Sequence, residues 1–223
     1  MKKRNFTILL LLFSIMVFCA CKNTENNDNY ICCGHKDETW QEYIERISKG
    51  SIVFGDFLYQ HLQDDFGDIN RLIITRYTGM DGNVTIPGEI DGMPVTTIGM
   101  CAFRETKLTK VIIPDSITGI RPAAFYDNDL TEVIFSNNLT YILESAFNKN
   151  RLTSITLPES VVQVSHQAFT NNQLTNITIG ANVIWTYISP PFDDGFREVY
   201  YAGGRLAGTY TRPDPSSTVW TKQ

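Results

Sequence analysis

The side chains best able to do chemistry in this 223-residue chain are three histidines and five cysteines. Ser165-His166 sets a hydroxyl beside a base, but a nucleophile also needs that base within hydrogen-bond reach and a third group to orient it. No spacing around the pair supplies one. His35 and His61 have no better support. Cys32-Cys33-Gly34-His35 carries zinc-type ligands without a second ligand pair at suitable spacing, so no metal and no cofactor is expected. The sequence has no glycine-rich phosphate cradle and no basic aromatic stripe for nucleic acid. The expectation is a protein that is not an enzyme and has no catalytic residue.

Cysteine usage points elsewhere. Lys2, Lys3 and Arg4 precede an uncharged stretch from Phe6 to Ala20, 15 residues long, which is the layout of a signal peptide. A spanning helix needs roughly 20 apolar residues, so this stretch is short for a membrane anchor. It ends at Phe18-Cys19-Ala20-Cys21, which resembles the lipobox of bacterial lipoproteins, with Ala20 before the cysteine and Phe18 in place of the usual leucine. The resemblance implies an acylated Cys21 at the mature N-terminus; the alternative is secretion with Cys21 unmodified. Two or more acyl chains, at about 0.8 kcal/mol per buried methylene, tether a protein to a membrane without embedding it. Loss of the leader takes the formal charge from −5 to −8, which argues against a nucleic-acid partner.

Cys19 leaves with the leader and Cys101 falls on an apolar repeat position, so only Cys32 and Cys33 are unassigned, as a disulfide or as free thiols. They lie in a polar spacer, 21–38, that is too poor in apolar side chains to fold alone. Trp40, Tyr43, Ile44 and Ile47 then follow helical spacing, with Thr39 and Glu42 as a capping box and Gly50 after the last turn. An amphipathic helix over 39–50 is expected. Its stripe could cover the open end of the next domain, meet a partner or touch lipid; adjacency favours the first use, and Glu42 and Glu45 disfavour the last.

Self-similarity carries most of the information. Ala-Phe recurs at Phe103, Phe125, Phe147 and Phe169 in steps of 22 residues. Leu108, Leu130, Leu152 and Leu174 keep the same step, as do Val111, Val133, Ile155 and Ile177. Asn128, Asn150 and Asn172 form a further column, with Thr106 in that place in the first unit. Each unit predicts a short strand ended in two cases by Pro114 or Pro158, an inward return path, and Ala-Phe closing the coil. Stacked coils would pair their strands into one parallel sheet roughly 20 Å wide, with neighbours about 4.8 Å apart. The phenylalanines and asparagines are expected to be structural. Gly88–Met93 is expected to form an extra loop. Phe196, Val199 and Tyr201, in step with the columns, predict one more strand.

The run from Ile98-Gly99-Met100-Cys101-Ala102-Phe103 to Leu108-Thr109-Lys110-Val111-Ile112-Ile113-Pro114 resembles the repeat of BspA-like, or treponemal-type, bacterial leucine-rich-repeat proteins. Ile73–Gly79 and Val84-Thr85-Ile86-Pro87 resemble that family's opening segment. Ala207–Arg212, with Trp220 and Thr221, resembles the closing segment of some members. The resemblance implies a repeat solenoid, mainly β: a right-handed coil with short parallel strands, a short N-terminal helix and β-type end caps. It also implies surface display and adhesion, with no catalytic residues to carry over. The expected order is signal peptide 1–20, lipid-anchored spacer 21–38, helix 39–50, N-terminal cap 51–83, repeats 84–201 and C-terminal cap 202–223.

Side chains alternate along a strand, so the residues between inward positions form the candidate partner-binding surface. These are Lys110 and Ile112, Glu132 and Ile134, Ser154 and Thr156, and Asn176 and Thr178, flanked by Thr109, Thr131, Thr153 and Thr175. Ile112 and Ile134 make an apolar patch on a polar face. The expected role is a cell-surface adhesion or protein-interaction module on the outside of a bacterial envelope. Its membrane contact would run through lipidated Cys21, and its ligand would be a host or neighbouring-cell surface protein that the sequence does not identify. The alternative is a structural envelope protein that associates with itself.

Overall fold

A chain that returns to the same place every 22 residues must satisfy its backbone from one coil to the next. The computed structural model describes residues 45, 49–63, 69–186, 191–192 and 195–223. The chain divides into two compact units, Met1–Arg46 and Ile47–Gln223. In the first, only Glu45 is described, and it is helical. The leader, Cys21, Cys32, Cys33, His35 and nearly all of the helix expected over 39–50 lie outside the described residues.

The second unit is a β-solenoid with strands on two sides. It opens with an antiparallel meander, β1 (Ile52–Phe54), β2 (Phe57–Gln63) and β3 (Ile69–Tyr77). The remaining strands are β4 (Asn83–Thr85), β5 (Glu89–Ile90), β6 (Met93–Ile98), β7 (Lys110–Ile112), β8 (Gly119–Ile120), β9 (Glu132–Ile134), β10 (Tyr141–Ile142), β11 (Ser154–Thr156), β12 (Gln163–Ser165), β13 (Asn176–Ile179), β14 (Ile184–Thr186), β15 (Gly208–Thr211) and β16 (Thr221–Lys222). One helix, α1 (Phe196–Ala202), is described in this unit. The return path of each coil is itself a strand. Those strands add in parallel to the meander to make a nine-stranded sheet, β1-β2-β3-β6-β8-β10-β12-β14, with β5 paired to β6. Gly88–Met93 is therefore part of a tight hairpin, turned by Asp91 and Gly92 at φ 52° and 77°.

The expected single sheet on the other side is corrected to two. β4-β7-β9 form a parallel sheet and β11-β13-β15-β16 a mixed one, parallel only between β11 and β13, and β9 and β11 are not paired. The break coincides with Phe135, which stands where other coils carry Ile113, Leu157 and Ile179. Its ring packs edge-on to Phe147 at 5.5 Å and reaches Phe169 of the next coil at 6.4 Å.

Between the sheets the aromatic rings stack. Centroids from Tyr77 through Phe103, Phe125, Phe147 and Phe169 to Phe192 are 5.3, 4.9, 5.0, 5.2 and 5.3 Å apart, with planes within 23° of parallel. The four repeat phenylalanines are fully buried. Each ring is held in register by its own amide, which donates to the carbonyl one coil on: Phe103 to Ala124, Phe125 to Ala146, Phe147 to Ala168 and Phe169 to Pro191. Close approach of backbones at this ladder explains the small alanine, and proline serves as well because only its carbonyl is used.

The asparagine column bridges coils from inside. Asn150 Nδ2 donates to Phe125 O at 2.9 Å and Phe147 O at 3.1 Å, while its Oδ1 accepts from Leu130 N at 3.1 Å. Asn128 and Asn172 repeat the pattern one coil to either side. Thr106 covers the first coil, its hydroxyl donating to Phe103 O at 2.9 Å.

The extra strand expected over 196–201 is corrected to a helix. Phe196 and Tyr200, four apart and buried, give α1 one inward face, and Gly195 at φ 88° turns the chain into it. The C-terminal cap is thus helix and antiparallel strand together, closed over Trp185, Phe196, Tyr200, Tyr210 and Trp220. Burial pushes the Tyr200 hydroxyl up, so it keeps its proton, donates to Gly180 O at 2.8 Å and accepts from Val183 N. Buried Arg212 fastens the cap, donating through Nε to Leu174 O and through Nη1 to Ser217 O, with its guanidinium over the Trp220 ring.

Candidate functional site

The short-strand side of the solenoid brings the candidate surface residues together in rows. Asn83, Lys110 and Glu132 stand opposite one another, as do Thr85, Ile112 and Ile134. Past the break, Ser154, Asn176 and Thr211 form a third row and Thr156, Thr178 and Thr209 a fourth. The eight residues therefore sit as two groups of four on separate sheets rather than on one surface.

The two groups differ in chemistry. In the first, Lys110 Nζ lies 2.9 Å from Glu132 Oε1; both side chains are solvated, so the pair contributes about 0–1 kcal/mol and serves mainly to fix the charges beside the aliphatic row. Ile112 is half-buried, whereas Ile134, with no paired strand beyond it, is 44% exposed. The second group is a flat threonine and asparagine surface: Thr178 and Thr209 hydroxyls lie 2.9 Å apart, and Asn176 Oδ1 lies 3.0 Å from Thr175 Oγ1. Sequence reasoning missed the outer members of these rows, Asn83 and Thr85 on β4 and Thr209 and Thr211 on β15. The alternation in Gly208-Thr209-Tyr210-Thr211, with Tyr210 buried between two threonines, is the signal that could have placed β15.

The flanking threonines bind the backbone instead of facing a partner. Thr131 Oγ1 donates to Thr109 O, Thr175 Oγ1 to Thr153 O and Thr109 Oγ1 to Gly82 O. Ser165 is buried and accepts from Gln163 Nε2 at 3.1 Å, the His166 carbonyl accepts from Ser145 N, and His61 is exposed on β2. No group of three metal-ligating side chains occurs among the described residues, nor is any helix among them long and apolar enough to cross a membrane.

Two-sided coils stacked through an aromatic column and an asparagine ladder define a solenoid of the leucine-rich-repeat class. Residues 83–188 match the BspA type leucine rich repeat region in six copies, and this part of the chain belongs to that family. Similar solved structures include a leucine-rich repeat protein from Bacteroides capillosus, 33% identical over 52% of this chain and 87% of that one, TM-score 0.47. The T. pallidum leucine rich repeat protein TpLRR is 28% identical over 50% of this chain and 53% of its own, TM-score 0.44. The pneumococcal vaccine antigen PcpA is 25% identical over 59% of this chain, TM-score 0.50, and the match spans 38% of its length. No curated protein matches the chain. The family, with the likeness to the pneumococcal antigen, suggests a surface protein-interaction module.

Proposed function

We propose that the chain is an adhesion or protein-binding module, exported, lipid-anchored at Cys21 on a bacterial envelope, and docking a protein ligand on the first short-strand sheet. The observation that carries this is the in-register pair Ile112 and Ile134, two aliphatic side chains next to a fixed Lys110–Glu132 ion pair on an otherwise polar face. An apolar spot rimmed by oriented charge suits a protein partner, since burial supplies affinity and charge supplies register. The threonine surface on the second sheet offers hydrogen bonding without apolar area, which makes it the rim. The core columns repeat while these positions vary, as selective binding requires.

Replacing both Ile112 and Ile134 with Asp places two carboxylates beside Glu132 and is expected to reduce capture of the surface-protein ligand at least tenfold, with the melting transition kept. Pull-down and calorimetric titration against candidate host and neighbouring-cell surface proteins measure this. Capture that survives the double change removes the patch from the account.

A second reading, a structural protein that associates with itself, is favoured by one feature. β1 is an edge of the nine-stranded sheet, and its Ile52, Val53 and Phe54 are all exposed. Uncharged apolar edges template strand pairing between copies, and mass that rises with concentration in solution is the signature of such pairing.

A further inference from the structure

We infer that the C-terminal end of the solenoid carries a second docking site, built around Tyr201, for a protein segment that presents carboxylates beside apolar side chains. The site is separate from the Ile112 and Ile134 surface.

The return-strand face changes polarity along the solenoid. Thr96, Thr118 and Thr140 occupy equivalent places in successive coils, and the Thr118 and Thr140 hydroxyls each lie against the carbonyl one coil back. The next residue in that column is Val162; Ile184, whose amide donates to Val162 O at 2.8 Å, stands beside it, opposite Gln163. They are 57% and 55% exposed. Neither side chain can make the threonine bond, so the backbone ladder continues there while the surface turns apolar. Leu206, 54% exposed, follows Arg205, whose carbonyl accepts from Asn182 N at 2.9 Å, two residues before Ile184. Three aliphatic side chains thus face water around the start of β14.

Tyr201 adds an oriented aromatic. Its ring stands edge-on to buried Trp185 at 4.9 Å and is itself 40% exposed. Two guanidiniums flank it, Arg197 at 5.5 Å and Arg205 at 5.9 Å from the ring centroid. Arg205 is held by its own backbone: at φ 56° it donates its amide to Tyr200 O at 2.8 Å, ending α1. Among the described residues neither arginine has a carboxylate partner. Guanidiniums pre-placed on an aromatic face match carboxylates in a planar, bidentate way and lose little freedom in doing so.

Charge decides the class of occupant. The chain carries −5 overall, so an acidic segment is repelled from most of its surface and attracted to this one. An anionic bilayer surface is recognised by clusters of about four to eight basic residues, and this patch offers two on a chain of the same sign as the lipid. Nucleic acid is disfavoured for the same reason. The aliphatic trio would be wasted on a purely ionic ligand; an acidic, apolar peptide uses both halves.

The test uses the full chain with Cys21→Ala, which takes away the candidate acylation site. Fluorescein-labelled peptides, each with two glutamates and two leucines at every spacing from adjacent to four apart, are titrated by anisotropy. Members of the panel are expected to bind with Kd in the micromolar range. Their Glu→Gln versions and the R197Q/R205Q protein should each weaken binding about tenfold or more, and the double Asp change at Ile112 and Ile134 should leave it unaltered. If R197Q/R205Q lowers the melting temperature, Ile184→Ser with Leu206→Ser tests the apolar half by the same loss. The inference is overturned if no peptide binds, if glutamate and glutamine peptides bind alike, or if only phosphatidylglycerol vesicles bind. Arginine-dependent dimerisation of the chain without peptide binding would give the patch to a second copy and overturn it equally.

Discussion

Phe147→Ala is expected to lower stability by about 3–5 kcal/mol, the usual cost of removing a buried aromatic ring and leaving its cavity. Phe147 is the residue to choose because its ring touches Phe125 at 5.0 Å, Phe169 at 5.2 Å and Phe135 edge-on, so no single neighbour can relax into the space. At roughly 2–4 °C per kcal/mol for a domain of this size, the melting temperature should fall by about 6–20 °C. Phe147→Leu keeps most of the volume and should fall by less than half as much. An alanine variant that melts with the parent would mean the ring is not enclosed, which a scanning calorimeter decides directly.

The second large effect is expected from Asn150→Ala. The amide of Asn150 bridges backbone groups of two coils, and alanine leaves Leu130 N–H buried without its acceptor, while Phe125 O keeps only the Asn128 amide as donor. One unsatisfied buried group costs about 1–3 kcal/mol and a lost net hydrogen bond about 1 more, so a loss of about 2–3 kcal/mol is expected, well above the tenths that a solvated asparagine would show. Asn150→Thr should restore part of it, because Thr106 fills the equivalent place in the first coil and bonds Phe103 O. Urea unfolding measures both variants, and equal midpoints for the alanine variant and the parent would contradict the ladder.

Where the step of 22 is kept and the residue type is kept, the sequence is enough to place a side chain. Phe103, Phe125, Phe147 and Phe169 are the clearest instance. Tyr77 and Phe192 belong to the same stack but stand 26 residues before Phe103 and 23 after Phe169, so periodicity passes over them. The β5–β6 hairpin accounts for the first offset.

Keeping the step is not sufficient, as Phe196, Val199 and Tyr201 demonstrate: they hold repeat positions inside α1. Their neighbours settle the conformation, since Phe196 and Tyr200 at helical spacing bury together while Tyr201 turns outward. The nine-stranded sheet is illegible in the sequence for a different reason. Gly119–Ile120 and Tyr141–Ile142 are strands of two residues, too short for alternation to show, and they exist because the coil beside them supplies partners. The break in the short-strand sheet falls beside Phe135 in an isoleucine and leucine column, a change that pattern matching treats as conservative.

Legibility of the candidate surface was likewise uneven. Outward positions follow from alternation, so Lys110, Ile112, Glu132 and Ile134 could be named together. Their separation from Ser154, Thr156, Asn176 and Thr178 could not, because it depends on pairing between coils. The arginines beside Tyr201 and the exposed aliphatics at the C-terminal end were hidden for a related reason, since β15 and α1 meet the last coil only through tertiary contacts.

The order of rings in the stack is what everything else rests on, and double-mutant cycles read it out. Alanine substitution at Phe125 and Phe147, singly and together, should give a coupling of about 0.5–1.5 kcal/mol, as expected for neighbouring stacked rings. The same cycle on Phe103 and Phe169, which have two rings between them, should be additive within about 0.5 kcal/mol. Equal couplings for the two pairs, or none for Phe125 with Phe147, would contradict a solenoid in which each turn lies directly on the last.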